Sequence, residues 1–166
     1  MALSRKSILA QTNNANFVRL CIESGVEFLL VGGAAVCHYG GRGDGISEID
    51  LLTNRTPENA QKSMGVLDKA SIKPNFTFKN LEAPNVQLPV KTHDYFLDLL
   101  TPWKELSYSD LSSRAETCSI NNMEVPVVCR EDLIKLKEYA VSKLQSEVDK
   151  HRKDLPYLYG LPEHVP

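Results

Sequence analysis

An unbroken apolar run, Phe28-Leu29-Leu30-Val31, passes directly into Gly32-Gly33 and then Ala34-Ala35-Val36. This predicts a buried strand over about 27 to 31, a tight turn of residues without Cβ atoms, and a helix from Gly33 to about Tyr39. Farther on, Ile46-Ser47-Glu48-Ile49-Asp50-Leu51-Leu52 alternates apolar and polar positions, predicting a strand over about 48 to 53. Its period of two sends Glu48 and Asp50 out of one face while Ile49 and Leu51 enter the core.

Around these segments the pattern predicts further elements. Phe17, Val18, Leu20, Cys21 and Ile22 give a mostly apolar helical face from Asn14 to Ser24, with Gly25 as the stop. Residues 40 to 45 are a glycine-rich loop, and Thr56-Pro57-Glu58 opens a helix to about Ala70, with Pro57 suited to its first turn. Residues 75 to 101 hold short alternating segments separated by Pro84-Asn85 and Pro89, read as strands ending in Tyr95 to Leu100. A hairpin over 115 to 129 turns at Asn121-Asn122. Leu133, Leu136, Lys137, Ala140, Val141, Leu144 and Val148 then recur at helical spacing, predicting one long amphipathic helix from about 131 to 148. The fold class expected is α/β (α+β), a mixed sheet flanked by helices. Its core spans 1–129, and a C-terminal helical appendage over 130–166 completes a single globular unit.

A glycine turn opening a helix presents unpaired N–H groups and the positive end of the peptide dipoles, which suit a phosphate. Two carboxylates on one strand face supply the hard oxygen ligands of Mg²⁺, which commonly shares its coordination with substrate phosphates. Gly32 and Gly33 with Glu48 and Asp50 thus suggest metal-assisted phosphoryl or nucleotidyl transfer. Arg42 in the glycine-rich loop could clamp a triphosphate through its guanidinium fork, or simply face water.

Composition narrows the partners. A formal net charge of −2 and a sequence pI near 6.1 exclude a general polycation for duplex nucleic acid. Cys21, Cys37, Cys118 and Cys129 lack the close pairing of a zinc site and read as buried thiols in a reducing compartment. The sequence shows no secretion signal and no run near the roughly 18 apolar residues of a membrane span. A cytoplasmic location is expected.

Gly32-Gly33 followed by Glu48-Ile49-Asp50 resembles the glycine-pair and acid-x-acid signature of the nucleotidyltransferase superfamily that includes DNA polymerase β, and in particular its small stand-alone bacterial members. His38 and Arg42 between the motifs, and the later segments 131–137 and 153–155, are similar to those members. The resemblance implies a third carboxylate on a later strand, best matched by Asp98 in Tyr95-Phe96-Leu97-Asp98-Leu99-Leu100, with Asp94 as the alternative. It also implies that Lys137 reaches into a cleft beside the sheet to bind nucleotide. His38 reads as a packing or capping histidine or as a base. Lys150, His151, Arg152 and Lys153, taken to lie beyond the long helix, read as a solvated helix end or as a grip on triphosphate or RNA.

The function expected from the resemblance is Mg²⁺-dependent transfer of a nucleoside monophosphate from an NTP to an RNA (possible tRNA), protein or small-molecule acceptor. Some such members act as toxins of toxin–antitoxin pairs, so a cognate antitoxin or toxin is a candidate partner, and antibiotic adenylylation shares the same core. Glu48 stands where most members carry Asp, and Gly43-Asp44-Gly45-Ile46 lengthens the approach to the acid pair. Both motivate the alternative of a non-catalytic binding protein on the same fold, an antitoxin or immunity-like partner.

Overall fold

The computed structural model of the chain describes residues 13–41, 48–143 and 148–160. Within them the elements are α1 (Asn14–Glu23), β1 (Phe28–Val31), α2 (Gly32–His38), β2 (Ile49–Thr53), α3 (Pro57–Lys69), α4 (Phe78–Glu82), β3 (Gln87–Lys91), β4 (Phe96–Leu100), α5 (Tyr108–Ser113), β5 (Glu116–Ile120), β6 (Met123–Val127), α6 (Arg130–Lys143) and α7 (Val148–Tyr159). The strands form one six-stranded sheet in the order β3-β4-β2-β1-β6-β5. β1 runs antiparallel to β2 and parallel to β6, β2 runs parallel to β4, and the outer pairs β3–β4 and β5–β6 are antiparallel. The expected α/β architecture, a mixed sheet with helices, is the one observed.

Local chemistry accounts for the boundaries. Gly25 takes φ +69° after α1, a left-handed stop that a Cβ would strain. Thr56 caps α3 by accepting from the Asn59 N–H at 3.2 Å, with Pro57 in the first turn. Asn59, buried in α3, bonds the backbone of Glu27 and Asn54 and so ties that helix to the strand entering the core. Asn121 and Asn122 both have positive φ, as the two-residue turn between β5 and β6 requires. Along β2 and β4 the pleat buries Ile49, Leu51, Leu97 and Leu99 on one face and leaves Asp50 and Asp98 on the other.

Three expectations are corrected. Residues 78–82 form the short helix α4 instead of a strand, because Asn80 folds back to accept from the Thr77 N–H at 2.8 Å and closes a helical turn. Pro89 lies inside β3 instead of separating two segments; β3 is an edge strand, where a residue without an N–H is tolerated. The single helix through 148 ends as α6 at Lys143, and Val148 opens a second helix packed against it. Leu144, counted in that stripe, lies outside the described residues, as do residues 1–12 and most of the loop at 40 to 45. Cys21, Cys37, Cys118 and Cys129 are free and buried, as expected.

Candidate active site

Asp50 on β2 and Asp98 on β4 are register partners across neighbouring parallel strands. Glu48 stands one residue before β2 and, by the period of two, on the same side. Each of the three offers an oxygen within 4.8 Å of the others, a spacing suited to one shared cation. The edge strand β3 steadies them. Gln87 donates from Nε2 to Asp98 Oδ2 at 2.8 Å, and Lys91 pairs through Nζ with Glu48 Oε1 at 2.8 Å.

Gly32 makes room for this cluster. It adopts φ +64°, and a Cβ there would stand 1.9 Å from Asp50 Oδ2. The first glycine therefore serves twice, once for the left-handed turn and once for the close approach of a carboxylate.

Three carboxylates at this distance repel unless a cation or a proton intervenes. Burial, reinforced by the charges of Asp98 and Glu48, pushes the Asp50 carboxyl up to about 7. Burial likewise raises Asp98, while the ammonium of Lys91 holds Glu48 below the ordinary carboxylate range. Asp98 Oδ1 is buried with no hydrogen-bond partner. A hard divalent cation fits the donor set: all the ligands are oxygens, one of them lacks a partner, and the local charge is strongly negative.

The cluster floors a cleft of about 400 Å³. Val31, Gly32, Gly33, Leu52, Val86, Leu100 and Trp103 are among the residues that line it. Leu133, Leu136, Lys137 and Ala140 of α6, with Lys150 and His151 of α7, also line it. Lys137 is buried and paired with Asp154 of α7 at 2.8 Å. Its Nζ also lies 3.2 Å from His151 Nδ1. An ammonium only donates, so Nδ1 is the accepting nitrogen of His151 in this contact.

No family model and no curated protein matches the sequence. Solved structures do. An antigenic nucleotidyltransferase-like protein from Paracoccidioides brasiliensis superimposes with a TM-score of 0.61 at 12% identity, over 88% of this chain and 73% of that one. ANT(2")-Ia in complex with adenylyl-2"-tobramycin gives 0.57 at 14% identity, over 88% of this chain and 85% of that one. The lincomycin-bound lincosamide antibiotic adenylyltransferase LnuA gives 0.57 at 13% identity, over 89% and 95%. The chain has the nucleotidyltransferase-like fold.

On that fold, most of the expected site residues converge. Glu48, Asp50 and Asp98 form the acid cluster, and Gly32, Gly33 and Lys137 line the same cleft. Arg42 lies outside the described residues. His38 stands apart from the cleft lining, its Nε2 4.0 Å from Glu116 and its ring edge-on to Tyr39; burial lowers its pKa. Asp94 precedes β4, is exposed and faces His93, so Asp98 alone of the two candidates joins the cluster. The basic cluster is not a helix tail: it occupies α7, where Lys150 and His151 reach the cleft while Arg152 and Lys153 are exposed outside its lining.

Sequence reasoning missed Gln87, Lys91, Trp103 and Asp154. Gln87 and Lys91 share a strand face at a spacing of four, a signal that Pro89 between them hid by arguing for a break. Asp154 lay in the segment 153–155 that the resemblance covered, but no role followed from it, because its pairing with Lys137 depends on how two helices meet.

Proposed function

We propose that this protein transfers a nucleoside monophosphate from a nucleoside triphosphate to an acceptor hydroxyl, at a divalent cation held by Glu48, Asp50 and Asp98. The observation that carries the reading is the convergence of three carboxylates within 4.8 Å, one of them with a buried oxygen that lacks a partner. Mg²⁺ is the cation proposed, since it takes oxygen ligands together with phosphates and, when bound, would offset charge developing on the transferred phosphoryl group.

The chain's own residues supply the rest. Gln87 occupies Asp98 Oδ2 and leaves Oδ1 available as a ligand atom. The backbone at Gly32-Gly33 seats the triphosphate, and Arg42 grips it. Lys150, whose positive charge acts on both Asp50 and Glu48, brings the phosphates a cation from the α7 side. The acceptor oxygen attacks the α-phosphorus, the bond to the bridging oxygen breaks, and pyrophosphate leaves. The acceptor proton passes to a carboxylate of the cluster, with Asp98 in that role.

One observation favours a second reading, a binding protein without activity. The Lys91 ammonium already sits on Glu48, where a metal ligand is needed. Incubation with α-labelled NTPs, Mg²⁺ and a panel of RNA, protein and small hydroxyl acceptors separates the two. Label transfer that is lost with EDTA and in Asp98→Asn supports the enzyme; Mg²⁺-independent nucleotide binding with no transfer to any acceptor supports the binding protein.

A further inference from the structure

The acid rung is followed on the same sheet face by an apolar one. Two residues beyond Asp50 and Asp98, the register pairs Leu52 with Leu100, about 7 Å along the strands. Gly32-Gly33 lies on the other side of the acids, since Val31, the last residue of β1, pairs with Asp50. The cleft is thus ordered along the sheet: glycine turn, carboxylates, apolar rung. Val86 adjoins this rung, accepting from the Thr101 N–H at 3.0 Å, Leu136 and Ala140 of α6 and Trp103 line the same cleft, and Trp103 packs on Tyr139 with ring centroids 4.0 Å apart at a tilt of 36°.

Resting on the nucleotidyl-transfer reading, this order says where the acceptor goes. In phosphoryl-type transfer the attacking and leaving oxygens stand roughly in line across the phosphorus. With the leaving pyrophosphate at Gly32-Gly33 and the α-phosphorus at the carboxylates, the acceptor comes from the apolar end. Among the described residues lining the cleft, every carboxylate belongs to the acid cluster, and the lysines there are Lys91, paired with Glu48, Lys137, paired with Asp154, and Lys150. A polycationic acceptor would meet no anion to pair with once a metal is bound.

We infer that the acceptor is an uncharged hydroxyl compound bearing an apolar, ring-sized group, which the slot formed by Leu52, Leu100, Val86, Trp103, Leu136 and Ala140 receives.

Trp103 is the only tryptophan in the sequence, so its fluorescence reports on the slot directly. The full chain is titrated with phenyl β-glucoside, methyl β-glucoside and tobramycin, with and without saturating Mg²⁺–ATP. Burial of the phenyl ring predicts a saturable Trp103 response with affinity at least about tenfold above the methyl glucoside, no response to tobramycin, and retention of the response with Mg²⁺–ATP bound. Ala140→Leu fills the slot with a good helix former and is expected to weaken phenyl glucoside at least about tenfold. Leu136→Ser, a second variant in case the first misfolds, is expected to bring the phenyl-to-methyl ratio close to one. Equal affinities for the two glucosides, tighter binding of tobramycin, or affinity unchanged in both variants overturns the inference. So does loss of the phenyl response when Mg²⁺–ATP binds, which would assign the slot to the nucleobase. Failure of the underlying reading looks different: no label then passes from α-labelled ATP to phenyl β-glucoside or to any other acceptor in the presence of Mg²⁺, whatever the Trp103 fluorescence shows.

Discussion

Gly32 and Asp50 occupy one space: the position of a glycine Cβ lies 1.9 Å from the carboxylate oxygen of the aspartate. The two residues are 18 apart in sequence and belong to different motifs, yet the carboxylate can stand where it does only because the glycine has no side chain. Gly32→Ala is expected to lose about 1–2 kcal/mol from the left-handed backbone alone, and more from the clash. In chemical denaturation the double variant with Asp50→Ala should recover part of that loss, with a coupling above about 0.5 kcal/mol. Strict additivity would show that the clash relaxes elsewhere.

Asp98→Asn keeps the shape of the side chain and removes a buried negative charge from a repulsive cluster. Without metal the variant should melt no lower than the parent. Its stabilisation by Mg²⁺ should fall, and nucleotidyl transfer should drop by more than about 100-fold, the scale of a positioned catalytic group. A variant that keeps most of its Mg²⁺-dependent transfer would remove Asp98 from the mechanism.

The raised Asp50 carboxyl sets a pH dependence with a definite sign. Between its ordinary value of 3.8 and about 7, the folded protein holds a proton that the unfolded chain has already shed. This contribution to stability is present below the lower value and is lost as pH rises through about 7. A divalent cation replaces the proton, so stabilisation by Mg²⁺ should grow across the same window. Melting temperature against pH, measured for the parent and Asp50→Asn, checks both. Parallel profiles would show that Asp50 does not titrate there.

Lys137 and Asp154 are a buried ion pair, 5% and 2% exposed. Lys137→Met or Asp154→Leu alone breaks the buried pair and should cost about 3–5 kcal/mol, whereas the double apolar replacement should recover most of it. Denaturation of the three variants decides, and a double variant no better than its singles would contradict the pairing.

Of the basic residues in α7, only Lys150 and His151 reach the cleft. Lys150→Ser should weaken NTP binding and lower the slope of log affinity against log salt, because one charge contact is lost. Arg152→Ser with Lys153→Ser should change neither, as exposed charges outside the site contribute little. An equal effect from the second pair would extend the anion site beyond the cleft.

The strongly periodic segments were legible in the sequence. Phe28–Val31, the alternation through Glu48 and Asp50, and the Asn121-Asn122 turn each obey a local rule that packing does not override. The acid cluster was legible because period two puts Glu48 and Asp50 on one face and family resemblance pointed to Asp98; the parallel register that sets Asp98 beside Asp50 is tertiary information. What stayed hidden depends on long-range meeting or local override. Gln87 and Lys91 gain their roles from the pairing of β3 with β4, Lys137 acquires a partner only where α7 folds back on α6, and Asn80 turns an alternating stretch into a helix.

The Lys137–Asp154 pair also bears on how one wall of the cleft is built. A charge pair sealed between two helices resists their separation far more than it resists their moving together. Joined at that point, α6 and α7 hold Leu136, Ala140 and Lys150 in a fixed relation to one another along the cleft.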